Sequence, residues 1–387
     1  MVLKEDGSVW STAICFRNDF SSSEARSDNR SNFKQVIESG AKAVAAGTVY
    51  TLVLKQDGSI WAMGRNHNGQ LGDGTRLKKT TFFRVTIIPG AKAVAAGGYH
   101  SIVLTKTGCL WATGWNKFGQ IGDKLTTART RFVAVISRGG VEAVATGDLH
   151  SIVMKKDGSV WVAGRNYNGQ LGDGSRTDRN IFVQVIFGGA VQVAAGGYHS
   201  MILKQDGSVW AAGWNQHGQL GDGTPIDRPA YVQVVWSGAK RIAAGRRHSV
   251  MLRQDGTVFA TGHNGYGQLG DASMHDSRAF VPVTVGTLGH PAETIAAGGF
   301  CSMALKQDGS IWITGSNEYG QLGDGTTISK KSFVRLTGTV QEMIIYMICC
   351  YTWFSLLDYT NAIVSWLYKC YEGTRHCNNR KKGNKQR

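Results

Sequence analysis

The chain has 387 residues, of which 42% are hydrophobic, and it contains 51 glycines but only 5 prolines. The hydrophobic content is ample for a buried core, and so much glycine without a collagen period excludes a collagen-like chain and indicates many tight turns, as in an all-β array. The formal charge of +16 favours acidic partners, nucleic acid or anionic membrane. The alternative is a solvated basic surface that aids solubility.

The cysteines form no C-x-x-C pair, so neither a disulfide framework nor a zinc site is predicted. Cysteines without such a pattern are most simply explained by a reducing compartment, so we expect a cytoplasmic or nuclear protein. The N-terminal sequence MVLKEDGSVW lacks the apolar core of a secretory signal. The seven cysteines are Cys15, Cys109, Cys301, Cys349, Cys350, Cys370 and Cys377.

Three signatures recur in a fixed order, which indicates a repeat architecture. The first is a glycine-rich loop, written NHNGQLGDGT at its first occurrence, and its successive spacings are 50, 50, 49, 49 and 53 residues. The second is a turn glycine followed three residues later by Trp or Phe, as in Gly58 and Trp61. The third is a small-residue run such as Ala45-Ala46-Gly47. The loops begin at Asn66, Asn116, Asn166, Asn215, Asn264 and Asn317.

One unit, residues 42–88, reads as four short strands, which is the composition of a propeller blade. The predicted strands are residues 42–46, 51–55, 59–63 and 82–88, and Asp57-Gly58 is predicted to be a two-residue type I′ hairpin turn. The chain lacks the periodicity of a helical solenoid. We therefore predict an all-β, seven-bladed propeller of four-stranded blades with degenerate first and last units.

The residues that stay fixed from unit to unit have structural explanations. Ala and Gly suit the crowded innermost strand, and the recurring Trp provides a flat surface between blades rather than a base-stacking platform. We expect Leu71 of the first loop to fill the same gap and Asp73 to accept from its own loop backbone. His100, His150, His199 and His248 recur one per blade, so structural hydrogen bonds are predicted for them rather than a metal site.

The string A-A-G-x-x-H-S-φ-x-L-K-x-D-G-S-V-W-A-x-G-x-N-x-x-G-Q-L-G-D-G-T resembles the regulator of chromosome condensation repeat family. The match is strong over residues 40–338 and partial over residues 2–10. The resemblance implies a seven-bladed propeller. It implies one of several functions: nucleotide exchange on the small GTPase Ran, chromatin binding, or a recognition module beside other domains.

The two ends of the chain depart from the repeat. The first unit lacks the G-Q-L-G-D loop, and the last lacks the A-A-G-x-x-H-S signature. We predict repeats over residues 1–338, a degenerate last repeat or blade closure over 339–368, and a disordered basic tail over 369–387. Residues 2–10 are expected to share a blade with part of 338–358. The apolar run 343–357 is shorter than the roughly 20 residues of a membrane span.

Positions that vary between units are free to serve function, and here they are rich in the residue types of interface hot spots. They follow the A-A-G run and flank the loop asparagine. The alternative role for the arginines is stacking on Trp between blades. The predicted partner-binding rim consists of Arg65, Trp115, Arg165, Trp214, His263, Tyr99, Tyr198, Arg246 and Arg247.

The leading functional hypothesis is a non-enzymatic propeller that binds a protein partner through one rim. No phosphate loop, catalytic set, metal site, cofactor or small-molecule substrate is predicted. Exchange activity on a Ran-like GTPase is the first alternative, although units of 49–53 residues leave no long insertion to wedge against a nucleotide site. Chromatin or nucleic-acid binding is the second. It is suggested by the net charge and by Arg380, Lys381, Lys382, Lys385 and Arg387, which could equally form a nuclear targeting signal.

Overall fold

A computed structural model describes residues 2–3, 6–11, 33–137, 139–286 and 291–336. All of them belong to one compact unit, Met1–Tyr351. These described residues form twenty-seven strands and no helix, and the strands are arranged in seven antiparallel sheets. Six sheets have four strands and one has three, which confirms the predicted propeller of seven blades.

The blades follow chain order, and each is a simple meander. Blade 1 consists of β1 (Val2–Leu3), β2 (Val9–Ser11) and β3 (Lys34–Ile37). Blade 2 consists of β4 (Ala41–Ala46), β5 (Tyr50–Lys55), β6 (Ser59–Gly64) and β7 (Lys79–Ile87). Blade 3 consists of β8 (Ala91–Ala96), β9 (His100–Thr105), β10 (Leu110–Gly114) and β11 (Arg129–Ile136). Blade 4 consists of β12 (Val141–Thr146), β13 (His150–Lys155), β14 (Val160–Gly164) and β15 (Arg179–Ile186).

The remaining three blades repeat this pattern. Blade 5 consists of β16 (Ala190–Ala195), β17 (His199–Lys204), β18 (Val209–Gly213) and β19 (Arg228–Val235). Blade 6 consists of β20 (Ala239–Ala244), β21 (His248–Arg253), β22 (Val258–Gly262) and β23 (Ser277–Val283). Blade 7 consists of β24 (Ala292–Gly298), β25 (Cys301–Lys306), β26 (Ile311–Gly315) and β27 (Lys330–Arg335). The four strands predicted over 42–88 are therefore correct to within three residues at each boundary.

The predicted turn type between the second and third strands is wrong. The loop between β5 and β6 has three residues, 56–58, and the Gly58 amide donates to the Lys55 carbonyl at 3.0 Å. Gly58 has φ of 81°, whereas Asp57 is not among the residues with positive φ. A type I′ turn needs positive φ at both central residues, so this is a type I turn followed by a left-handed glycine. Asp57 is selected because its carboxylate accepts from the Ser59 amide at 2.9 Å.

Aromatic side chains fill the gaps between neighbouring blades, as predicted for the Trp ring. Trp61 packs against Val9 and Ile37 of blade 1, and its indole N–H donates to Ser59 Oγ at 2.9 Å. Trp111 packs in the same way against Leu54 of blade 2. The corresponding rings of the later blades are Trp161, Trp210, Phe259 and Trp312.

The glycine-rich loop is folded around its invariant asparagine. Asn66 Oδ1 accepts from the Leu71 amide at 3.0 Å, and Asn66 Nδ2 donates to Asp73 at 2.9 Å. Asp73 in turn accepts from the Thr75 amide at 2.9 Å, which confirms the predicted Asx-type turn. These bonds insert Leu71 fully into the core. The same arrangement recurs at Asn116, Asn166, Asn215, Asn264 and Asn317.

The recurring histidines form hydrogen bonds between blades, as predicted. His100 Nε2 lies 2.8 Å from Ser151 Oγ in the next blade, and Ser151 donates its own proton to the Gln120 carbonyl at 2.7 Å. Because the serine proton is used there, the histidine is the donor. Burial lowers the pKa of His100 to about 3, so the imidazole is neutral. The pairs His150–Ser200, His199–Ser249 and His248–Ser302 repeat this bond.

The last blade meets the first through a glycine–aromatic contact that also joins each of blades 2 to 6 to the blade that follows it. A Cβ atom added to Gly72 would lie 2.5 Å from Phe132 in the next blade, so only glycine allows this approach. Gly323 of blade 7 has the same relation to Phe33, which precedes β3 of blade 1. The ring is therefore closed between these blades. The described part of blade 1 contains three strands, and the predicted closing segment 338–358 lies outside the described residues.

Candidate protein-interaction rim

The two strands in the middle of each blade bring variable positions together at one end of the propeller. Arg65 follows the end of β6, and its amide donates at 2.9 Å to the carbonyl of Val49, just before β5 begins. The residue before the loop asparagine therefore lies beside the residue before the histidine position. The predicted rim residues all lie at this end, and all are half-buried. Their role in binding stays a prediction.

In blades 3 and 4 the rim side chains form one continuous stack. The rings of Tyr99 and Trp115 meet edge to face with centroids 5.4 Å apart, and Trp115 meets Phe118 at 5.6 Å. The guanidinium of Arg165 lies 5.1 Å from the Phe118 ring, which joins blade 4 to blade 3. Tyr167 extends this stack and is 68% exposed. Arg165 thus stacks between blades, but on Phe118 and not on the Trp of the alternative prediction, and it remains half-buried.

A second stack spans blades 5 and 6. Tyr198 meets Trp214 edge to face at 5.9 Å, and the guanidinium of Arg247 lies 5.2 Å from the Trp214 ring. His217 and His263, one from each blade, have ring centroids 4.7 Å apart. Aromatic and arginine side chains on the rim are thus held in place by contacts across blade boundaries.

The centre of the rim contains an acid that the sequence reasoning did not select. Asp148 Oδ2 of blade 4 lies 3.3 Å from Arg246 Nε of blade 6, and both side chains are nearly buried. Burial raises the pKa of Asp148, while Arg246 and Arg247 act in the opposite direction. The available signal was that Asp148 is the sole acid at the first variable site of the six units.

Four rim positions leave a buried amide without a hydrogen-bond acceptor in the protein. The glutamine of the loop accepts a backbone amide through Oε1, as Gln70 does from Asn68 at 3.0 Å. In blades 6 and 7 its Nε2 also donates, Gln268 to His263 at 2.6 Å and Gln321 to Ser316 at 2.9 Å. Where Arg or Trp precedes the asparagine, the glutamine Nε2 is buried without an acceptor. This holds for Gln70, Gln120, Gln170 and Gln219.

Within the described residues, one cluster has donor atoms close enough to suggest a metal site. The ligand atoms of His217, His263 and Asp276 all lie within 4.8 Å of one another. However, Gln268 donates to His263 Nδ1, because its Oε1 already accepts from the Tyr266 amide. The proton of neutral His263 therefore resides on Nε2. His217 Nδ1 forms a hydrogen bond with Asp276 Oδ2 at 2.7 Å. We assign this cluster to the contact between blades 5 and 6.

The predicted basic tail, Arg380 to Arg387, and the apolar run 343–357 lie outside the described residues. Among the residues that the structure describes, no helix has the length and apolar character needed to span a bilayer.

These features define a repeat propeller with a structural interior and a variable rim. Residues 1–240 match the family model of the RCC1-like domain. Two models of the regulator of chromosome condensation (RCC1) repeat match residues 239–268 and 293–321, and residues 255–305. The chain therefore belongs to the RCC1-like domain family, as the resemblance of its repeats predicted.

Solved structures of low sequence identity share the fold. Human WBSCR16 is 23% identical, with a TM-score of 0.72 over 80% of this chain and 85% of that chain. Yeast RCC1 (Prp20), in a complex with Kap60, is 19% identical, with a TM-score of 0.74 over 88% of this chain and 86% of that chain. A Saccharomyces cerevisiae Prp20p structure, described with its binding to Gsp1p and histones, has a TM-score of 0.73 at 19% identity, over 88% of each chain. No curated protein matches the sequence.

Proposed function

We propose that this protein is a non-enzymatic interaction module that binds a protein partner through the rim. The observation that carries the proposal is the set of four glutamine amides left without an acceptor. A buried donor without a partner costs about 1–3 kcal/mol. His263 and Ser316 show that other side chains at this position satisfy the amide. Arg and Trp at this position therefore lower the stability of the fold relative to His or Ser. Residues kept at a cost in stability support a role in contact with a partner.

The residue types support the same proposal. Arg, Trp and Tyr dominate interface hot spots because they combine a large apolar area with a polar end. Here they are ordered before binding by stacks such as Tyr99–Trp115 and Arg247–Trp214. Side chains that are already ordered lose less conformational entropy when a partner binds.

The test compares two aromatic variants at opposite ends of the propeller. Trp115→Ala removes a rim side chain, whereas Trp236→Ala removes a Trp that is 82% exposed in the connection between β19 and β20, at the other end. Proteins retained by the immobilised full chain are identified by mass spectrometry for each variant. We expect a set of partners to be lost with Trp115→Ala and kept with Trp236→Ala. Equal retention by both variants would overturn the proposal.

Exchange activity on a Ran-like GTPase is the alternative within the same family. The described units contain no long insertion between their strands, so we expect no acceleration of nucleotide release from Ran. A stopped-flow assay with labelled nucleotide measures this directly, with yeast Prp20 as the positive control. Acceleration well above the spontaneous rate would favour exchange over passive binding.

The basic tail favours nucleic-acid binding as a second, separate function. Arg380 to Arg387 contains five basic residues and no acid. Each neutralised phosphate adds about one unit to the slope of log affinity against log salt, so deleting residues 378–387 should flatten that slope by roughly three to five units. DNA binding measured by fluorescence anisotropy at several salt concentrations tests this. An unchanged slope would transfer the relevant charge to the propeller.

A further inference from the structure

The central channel of the propeller opens at the rim end through a mouth lined mostly by small residues. The channel has a volume of about 310 Å³ and is lined mainly by Ala and Gly of the innermost strands. Its rim-side lining includes Thr48, Gly98, Asp148, Gly197 and Gly299. With so few side chains pointing inward, the chemistry of this opening depends on the longer residues around it.

Backbone hydrogen bonds between successive blades make this mouth a fixed frame. The Gly98 amide donates to the Gly147 carbonyl at 3.2 Å, and the Asp148 amide donates to the Gly197 carbonyl at 3.3 Å. The amide of Gly197 donates to Arg246 at 3.2 Å, and that of Arg246 to Gly299 at 3.1 Å. Groups mounted on this frame are positioned before any partner arrives.

Positive charge exceeds negative charge around the mouth. Arg246 is paired with Asp148 across blade 5. The neighbouring Arg247 and Arg65 take part in none of the ion pairs between described residues. Both lie beside the mouth. Arg247 directly follows Arg246, and the Arg65 amide donates at 2.9 Å to the carbonyl of Val49, which is next to Thr48 of the channel lining. The rim end around the mouth therefore carries three guanidinium groups and one carboxylate.

The two arginines outside these ion pairs are suited to bind a planar anion. A guanidinium offers parallel N–H donors that match a carboxylate. Arg247 is held over the face of Trp214, so its fork is oriented without the help of an acid. The adjacent Arg246 is already paired with Asp148, so the charge of Arg247 is left for a ligand.

We propose that the channel mouth binds a carboxylate-bearing acidic segment of the partner protein, with Arg65 and Arg247 as its receptors. This proposal rests on the proposed function of the rim and names the chemistry that the partner presents. A peptide carboxylate is favoured over a nucleic-acid strand because the charge excess is concentrated at one opening instead of following a continuous groove.

The test uses a fluorescein-labelled twelve-residue peptide of Glu, Gly and Ser, and a matched peptide with Gln in place of Glu. Binding to the full chain is measured by anisotropy at low salt. We expect the Glu peptide to bind and the Gln peptide not to bind. Arg247→Gln and Arg65→Gln should each lower the affinity for the Glu peptide about tenfold. Arg84→Gln, which removes an exposed arginine on β7, is the matched control and should leave binding unchanged.

Three outcomes would overturn the proposal: equal binding of both peptides, an equal loss with Arg84→Gln, or tighter binding of a twelve-nucleotide oligothymidine that depends on Arg65 and Arg247. Thermal unfolding of each variant separates lost binding from lost folding. Trp115→Ala separates this proposal from the general function of the rim. If Trp115→Ala abolishes partner capture while the Glu peptide binds nowhere, the rim proposal stands and the acidic segment is rejected.

Discussion

Two neighbouring layers of this propeller follow opposite rules. The inner layer repeats almost without change, so that His100, His150, His199 and His248 form the same bond to the next blade. The rim begins one residue away, and there the residue before the histidine position is Tyr, Leu, Tyr or Arg. The difference teaches that the stability of this fold is built from identical contacts, while variation is confined to one surface.

The strongest test of the comparison is a deletion in the repeated layer. Leu171 is fully buried between blades 4 and 5, against Ile152 and Ile202. We expect Leu171→Ala to lower the free energy of unfolding by about 2–5 kcal/mol, through lost transfer free energy and a residual cavity. Urea unfolding followed by tryptophan fluorescence measures the change, with the rim variant Trp115→Ala as control. A larger loss in the rim variant would contradict the division into two layers.

Acid should act on the inner layer through its histidines. Burial lowers the pKa of His199 to about 3, whereas an unfolded histidine titrates near 6.5. Between these values the unfolded chain binds protons that the native state does not bind. The free energy of unfolding therefore decreases as pH falls below about 6.5, by up to about 1.4 kcal/mol per pH unit for each such histidine.

We expect His199→Tyr to reduce this dependence on pH by one proton. Tyrosine is the residue that blade 2 uses at the equivalent position, as Tyr50, so the substitution copies a solution that the chain already contains. Urea titrations between about pH 7 and pH 5 give the slope of unfolding free energy against pH. His217→Tyr, on the rim, serves as control. A slope identical to that of the wild type would show that His199 is not neutral in the native state.

A rim substitution should separate stability from binding. Arg165→Ser places in blade 4 the residue that blade 7 uses at Ser316, so that Gln170 gains an acceptor. We expect the free energy of unfolding to stay level or rise by up to about 1 kcal/mol, because the new hydrogen bond offsets the lost stack on Phe118. Partner capture should decrease. A less stable variant with full capture would reverse the roles assigned to Arg165.

The smallest expected effect concerns an irregularity within the repeated layer. Ala272 has φ of 68° at a loop position where four other units use glycine. A left-handed conformation costs a residue with a Cβ roughly 1–2 kcal/mol, part of which glycine regains in the unfolded state as entropy. We expect Ala272→Gly to stabilise the protein by about 0.5–1 kcal/mol in thermal unfolding. Gly223→Ala, the reverse change in blade 5, should destabilise it by a similar amount.

The repeated layer was predictable because the sequence contains several copies of one unit, and comparing them shows which positions stay fixed. The fixed Asn, Leu and Asp of the loop could be assigned roles from their spacing alone, and the structure confirms those of Leu71 and Asp73. The turn type was not predictable, since Asp-Gly suits both two- and three-residue loops. The Asp148–Arg246 pair joins blades that are not neighbours in sequence. Its existence depends on the width of the channel mouth, which no local pattern encodes.

The contact between Gly323 and Phe33 has a consequence for how the protein is made. The ribosome synthesises the blades one after another, and Phe33 and Gly323 are separated in sequence by nearly the whole propeller. Contacts of such long range form slowly, because closing a long loop costs chain entropy before any contact offsets it. Until blade 7 is complete, the blades that have already folded form an open arc, and the blade surface at each end of the arc is uncovered. These exposed apolar surfaces are what chaperones would bind during synthesis.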